Sequence, residues 1–264
     1  MSAKIAVEGV VLDYVNPETG EAHRAVEGLD LRVNENEFLC VLGPSGCGKS
    51  TLLAAIAGFL RPTRGRIVMD GKAITGPSAE RGVVFQEYAL LPWMNVLDNA
   101  ALGLKLRGIA RDERHQIARR YLALANLHGV DQKFPHELSG GMKQRVAVAR
   151  TLANSPEVML MDEPFAAVDA QTRMTLQEEL VRISVSSRLT VLFITHSVEE
   201  AIFLGDRVAV MTPGPGRIRT IVDVAFARAD RTFARLNADP AFTKLRDELL
   251  DLVRVVPSAH ARAA

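Results

Sequence analysis

The chain has 264 residues, 48% hydrophobic and 24% charged, with a formal net charge of +1. That length buries one substantial core with room for an inserted subdomain, and the composition excludes a disordered chain. The near-neutral charge argues against nucleic acid as a partner.

No run approaches the roughly 18 apolar residues that cross a bilayer. The start, Met1-Ser-Ala-Lys-Ile-Ala-Val, lacks the apolar stretch of a secretion signal, so any membrane role is expected to be peripheral. Residues 5–14 and 25–33 read as short strands around the turn-rich Asn16-Pro-Glu-Thr-Gly20, an antiparallel edge sheet. Phe38-Leu-Cys-Val-Leu42 is an unbroken apolar run, the pattern of a strand buried on both faces in a parallel sheet.

The run empties into Gly43-Pro-Ser-Gly-Cys-Gly-Lys-Ser50, followed by Thr51-Leu-Leu at a helix start. This is the phosphate-loop pattern: Gly43, Pro44, Ser45, Gly46, Cys47, Gly48, Lys49, Ser50 and Thr51 are candidate nucleotide-binding residues. The glycines let backbone N–H groups face phosphate oxygens, Lys49 reaches the β- and γ-phosphates, and the Ser50 hydroxyl suits Mg²⁺. Cys40 and Cys47 flank or occupy this loop, where a disulfide is awkward, which fits a reducing compartment.

A further strand ends at Phe85 and Gln86, and between residues 95 and 153 the pattern turns helical. Residues 111–125 read as an amphipathic helix with Ile117, Leu122 and Leu124 facing inward. Ser139-Gly-Gly141 opens another helix, with Met142, Val146, Ala149 and Leu152 along one side. Two glycines at a helix start fit an anion approaching bare N–H groups; a simple serine cap is the other reading.

Val158-Met-Leu-Met161 is a second buried strand, closed by Asp162 and Glu163. In the partnership usual for such a loop, the first acid orients Mg²⁺ and the second polarises the attacking water. Thr190-Val-Leu-Phe-Ile-Thr195 is a third, followed by His196, which either contacts the γ-phosphate or is a hydrogen-bonded structural residue. Ligands of open α/β sheets sit beyond the carboxyl ends of strands, so Gly43, Asp162 and His196 are expected to share one crevice. A last strand pair is expected after Gly216. Phe242, Leu245, Leu249, Leu252 and Val253 recur at helical spacing, and residues 258–264 look loose.

This set of motifs resembles the ATP-binding subunits of ABC transporters over almost the whole chain. The resemblance implies an α/β P-loop NTPase with a RecA-like parallel-sheet core (about 1–86 and 155–225), an antiparallel N-terminal β-subdomain, a helical subdomain (about 87–154) and a tail (226–264). It further implies that Ser139, Gly140 and Gly141 bind the γ-phosphate of ATP held by a second copy, that Gln86 senses Mg²⁺ and the membrane partner, and that Asp169 links the two sites. Tyr14 takes the place of the adenine-stacking aromatic, an edge-strand tyrosine being the alternative. ATP and Mg²⁺ are the implied cofactors. A homodimer, a permease dimer and an extracytoplasmic substrate-binding protein are the implied partners, at the cytoplasmic face of the inner membrane.

Ala79-Glu-Arg-Gly-Val-Val-Phe-Gln86, Leu90-Leu-Pro-Trp-Met-Asn-Val-Leu-Asp-Asn99, Gly214-Pro-Gly-Arg217, Phe226-Ala-Arg228 and Ala238-Asp-Pro-Ala-Phe242 are similar to importers of taurine, aliphatic sulfonates and nitrate, taurine importers above all. Trp93 lies where such proteins meet the permease, or else packs the subdomain. Two departures stand out: Ser197 replaces the usual Asp after the histidine, and Ala166-Ala-Val168 precedes Asp169. An ABC-type ATPase without a membrane partner, or a phosphate-loop kinase, are the competing readings. The first ordinarily carries coiled coils or tandem cassettes, and the second leaves Ser139-Gly-Gly141 unexplained.

Overall fold

Strands β1 (Ala3–Val15) and β2 (Ala22–Asn34) pair antiparallel through an irregular register, with Gly9 and Gly28 at φ +56° and +58° where the ladder shifts. Bulges of this kind bend a sheet over its neighbour. The structure is a computed structural model that describes residues 3–15 and 20–254; residues 16–19 of the expected turn and the stretch 258–264 lie outside the described residues.

After β3 (Phe38–Leu42) and α1 (Lys49–Ala57), strands β4 (Arg64–Met69) and β5 (Lys72–Ala73) complete the antiparallel sheet in the order β2-β1-β4-β5. The chain then enters the second sheet with β6 (Arg81–Val84) and leaves it for helices α2 (Val96–Ala100), α3 (Leu102–Leu106), α4 (Arg111–Leu124) and α5 (Gly140–Ala153). It returns through β7 (Val158–Asp162), α6 (Ala170–Ser186), β8 (Thr190–Thr195), α7 (Val198–Leu204), β9 (Arg207–Met211) and β10 (Ile218–Asp223), and ends in α8 (Phe233–Asn237) and α9 (Pro240–Val253).

The second sheet runs β10-β9-β3-β8-β7-β6, parallel throughout except at β10. This is the α/β P-loop architecture expected from the motifs. Its central strands are buried on both faces, and alternation along β3 distributes one strand between two cores. Phe38, Cys40 and Leu42 join Met159, Met161 and Phe193 beneath α6, α7 and α9, while Leu39 and Val41 join Leu160, Leu192 and Ile194 beneath the antiparallel sheet and α1. A third, smaller core lies among α2, α4 and α5. Helix α5 belongs to two of them, with Val146 and Ala149 in the helical cluster and Ala147, Val148 and Leu152 in the main one.

Two expectations need correction. Leu124 is 42% exposed whereas Leu122 is buried, because residues two apart on a helix point nearly opposite ways. The last strand pair straddles Gly216 rather than following it, since β9 precedes that glycine and pairs back with β10. In the tail, Phe242 and Leu249 are buried, and Leu245, Leu252 and Val253 pack partly against the same core.

Candidate functional site

The three expected strand ends do converge. Leu42 of β3 is paired with Thr195 of β8, and Ile194 with Asp162 of β7, so Gly43, Asp162 and His196 leave neighbouring strands at one level.

The loop after β3 turns on Gly46 and Gly48, at φ +78° and +93°, a region that side chains other than glycine enter at a cost. Gly48 also has no room for a side chain: a Cβ there would lie 2.6 Å from the Ala25 carbonyl, so β2 supports the underside of the loop. Cys47 is fully buried, and burial raises its thiol pKa.

Lys49, at the start of α1, is buried and donates from Nζ to the carbonyls of Gly43 (2.8 Å) and Pro44 (3.0 Å), with Glu163 Oε1 3.9 Å away. The Ser50 hydroxyl donates to Asp162 Oδ1 at 3.0 Å. Burial raises the Asp162 pKa, Glu163 adds to that, and the Ser50 hydrogen bond and the Lys49 charge oppose it. A hydroxyl and a carboxylate form a hard oxygen pair, and a second carboxylate follows directly at Glu163. Both properties suit Mg²⁺, which keeps several waters and takes few protein ligands. Ser50 and Asp162 would hold the ion.

Glu163 takes φ +41°, and its N–H bonds the Ile194 carbonyl at 3.1 Å, carrying the β7–β8 ladder one residue beyond Asp162. Its Oε2 is 2.9 Å from Nδ1 of His196, whose side chain is 59% exposed. With an ionised carboxylate the ring must donate from Nδ1, which leaves Nε2 for a ligand.

Gln86 stands exposed two residues past β6, at the edge of the sheet. Tyr14 is 54% exposed and opposite His23 on the antiparallel sheet, two residues along β2 from the Ala25 carbonyl under the loop. No hydrogen bond joins either residue to the phosphate loop among the described residues.

Ser139 caps α5, accepting from the Met142 N–H at 3.3 Å. Gly141 is required by packing inside the chain: a Cβ there would be 2.5 Å from Thr172 Cγ2 on α6. At Gly140 the space is freer, with the Tyr88 hydroxyl at 3.1 Å. The serine-cap reading therefore holds as geometry, and the demand for a bare helix start rests on Gly140. No hydrogen bond or ion pair joins residues 139–141 to Lys49, Ser50, Asp162 or Glu163 among the described residues. Asp169 caps α6, accepting from Thr172 N–H at 3.0 Å, and that backbone bond holds its carboxyl below the usual range.

Ser197, the departure noted above, caps α7 by accepting from the Glu200 N–H at 3.2 Å, the cap an aspartate would make. Glu200 itself was missed. It is buried, takes hydrogen bonds from the Thr195 hydroxyl and from Gln177 Nε2 (2.7 Å), and burial raises its pKa. The Ser197-Val-Glu-Glu200 spacing of a capping box was the available signal.

A cleft of about 490 Å³ opens between β6 and the helices, lined by Phe85, Ala89, Leu102, Leu106 and Arg150 among others. Leu106 is 80% exposed and Phe85 stacks on exposed Phe59 with ring centroids 6.2 Å apart. Trp93 is 70% exposed, so it does not serve subdomain packing. None of the described helices is long and apolar enough to cross a membrane.

The ABC transporter family model matches residues 26–166. The chain is 50% identical to the taurine import ATP-binding protein of Rhizobium johnstonii, over 87% of this chain and 89% of that one. It is 47% identical to the nitrate import ATP-binding protein of Synechococcus elongatus, over 87% and 84% respectively. Among solved structures, a dimeric ATP-binding cassette in a post-hydrolysis state with ADP and Pi superposes with a TM-score of 0.75 at 29% identity, over 84% of this chain and 100% of that one.

Proposed function

The chain belongs to the ABC transporter family and is an ATPase, and we propose that two copies sandwich two Mg-ATP molecules to drive uptake of a small anion, taurine first among the candidates. Another aliphatic sulfonate or nitrate is the alternative cargo. The observation that carries the reading is the division of the site. Lys49, Ser50, Asp162, Glu163 and His196 assemble in one crevice, whereas Ser139 and Gly140 begin a helix that makes no bond to them among the described residues.

Each residue then has a task. Residues 43–51 cradle the phosphates by backbone N–H groups and the start of α1, and Lys49 exchanges its two loop carbonyls for β- and γ-phosphate oxygens. Ser50, Asp162 and Gln86 would hold the metal, which when bound would neutralise charge on the β- and γ-phosphates. Glu163 takes a proton from the attacking water, and His196 holds that carboxylate through Nδ1 while Nε2 is left for the γ-phosphate. Tyr14 stacks on adenine, and Ser139, Gly140 and Gly141 meet the γ-phosphate of the other copy, with Asp169 near the junction.

ATP drives closure only through tighter binding to the closed pair, which contacts from both copies supply. The apolar cleft beside Phe85 and Leu106 fits a helix of a permease, which holds the subunit at the cytoplasmic face of the inner membrane while an extracytoplasmic binding protein selects the cargo. The test is phosphate release by the complex reconstituted in vesicles with its permease and binding protein. Stimulation by taurine supports the cargo; stimulation by nitrate alone reassigns it, and turnover that ignores the permease sinks the importer role.

A further inference from the structure

Arg150 lies in the last turn of α5 and donates from Nη1 to the Ala89 carbonyl at 2.6 Å and from Nη2 to the Tyr88 carbonyl at 3.0 Å. No carboxylate pairs with it among the described residues, and burial pushes its pKa down. A guanidinium withdrawn from water in this way depends on the carbonyls it grips. One of them belongs to Ala89, at φ +47°, a left-handed conformation that an alanine keeps only when held. The Tyr88 hydroxyl meanwhile reaches the other end of the helix, 3.1 Å from where a Cβ on Gly140 would stand.

The loop that follows Gln86 is thus fastened to α5 at the helix's last turn, and the Tyr88 side chain of the same loop lies beside its first residue. Helix α5 carries Ser139 as its cap and is itself clamped between two cores. Phe85, Ala89 and Arg150 also line the apolar cleft.

We infer that Arg150 is a positioning residue: with Tyr88 it welds the loop bearing Gln86 to the helix bearing Ser139. A partner helix entering the cleft then shifts the metal-side glutamine and the partner-facing serine as one body. This deepens the proposed function and rests on it for the identity of the cleft's occupant.

The test uses the full chain with nitroxide labels on cysteines placed at exposed Glu87 and at exposed Arg120 of α4, which shares a core with α5, in wild type and Arg150→Lys, a change that keeps charge and loses the fork. The wild-type distance distribution is narrow and that of the variant clearly broader. In the permease complex, Arg150→Lys lowers permease-stimulated turnover about tenfold, while ATP affinity of the isolated subunit stays within about twofold. A merely structural role would instead lower melting temperature and leave the stimulation ratio unchanged.

An equally narrow distribution with full stimulation overturns the inference. If Arg150→Lys does not fold, Tyr88→Ala removes the side chain that lies beside Gly140 with Arg150 in place; unchanged distances and stimulation in that variant overturn it too. A wild-type chain without ATP turnover defeats the functional reading, and the distance measurement still decides whether the loop and helix are tied.

Discussion

Nδ1 of His196 sits 2.9 Å from Oε2 of Glu163, across two adjacent parallel strands and 33 residues of sequence. The same carboxylate has its other oxygen 3.9 Å from Lys49 Nζ, so one side chain is oriented from both sides. On the proposed function Glu163 and His196 act as a unit, and their losses are expected not to add.

Glu163→Gln keeps the size and loses the proposed base. Phosphate release is expected to fall by about 10² to 10⁴, with ATP binding retained and an ATP-dependent dimer visible by size-exclusion chromatography. His196→Ala lowers turnover as well, and the double variant is no slower than Glu163→Gln alone. Rapid turnover by Glu163→Gln removes that residue from the base role, and strictly multiplicative losses dissolve the unit.

Gly141→Ala puts a methyl 2.5 Å from Thr172 Cγ2. Overpacking of this kind costs about 1–3 kcal/mol, readable by urea denaturation of the nucleotide-free chain. Thr172→Ser deletes the obstructing methyl and leaves the Thr172 N–H bond to Asp169 unaffected, so the double variant recovers most of the loss. No recovery means that α6 does not dictate the glycine.

The buried Glu200 yields a pH dependence with a definite sign. Burial raises its folded pKa above the unfolded value, so the charged form costs the folded state at neutral pH. As pH falls through the folded pKa, the folded chain takes the proton first and that cost disappears. Glu200→Gln has no such proton and can keep bonds to Gln177 and Thr195. Wild-type stability is therefore expected to rise relative to the variant on acidification, as measured by thermal or urea melts across the acid range. A gap that widens the other way contradicts the burial argument.

Arg231 closes the far end of the helix that follows His196. Its Nη1 donates to the carbonyls of Ile202 (3.1 Å), Phe203 (3.0 Å) and Gly205 (2.8 Å), and Nε and Nη2 reach Phe226. Burial pulls its pKa down to about 10, yet it stays charged at neutral pH. Arg231→Met leaves these carbonyls without a donor and is expected to cost about 3 kcal/mol. An unchanged denaturation midpoint would show that water replaces the guanidinium at no cost.

Contiguous patterns decided much of this protein in advance. The unbroken apolar runs that become β3, β7 and β8, the glycine spacing of residues 43–50, and the acids closing β7 are local features, each set by neighbours within one strand or turn. Helical spacing in the tail likewise placed Phe242 and Leu249 inward, whereas in α4 the same kind of spacing misjudged Leu124, where a two-residue offset reverses the face.

Other features depended on residues brought together from far apart. The Ser50–Asp162 bond spans 112 positions, Thr172 is what excludes a side chain at Gly141, and Arg231 reaches back 26 to 29 residues to cap α7. Strand order was also invisible, since β3 is flanked by β8 and β9 rather than by its sequence neighbours. Backbone propensity and polarity act over a few residues and can be read along the chain. Close packing and buried hydrogen bonds depend on which surfaces the whole fold presses together, and only the tertiary structure specifies those.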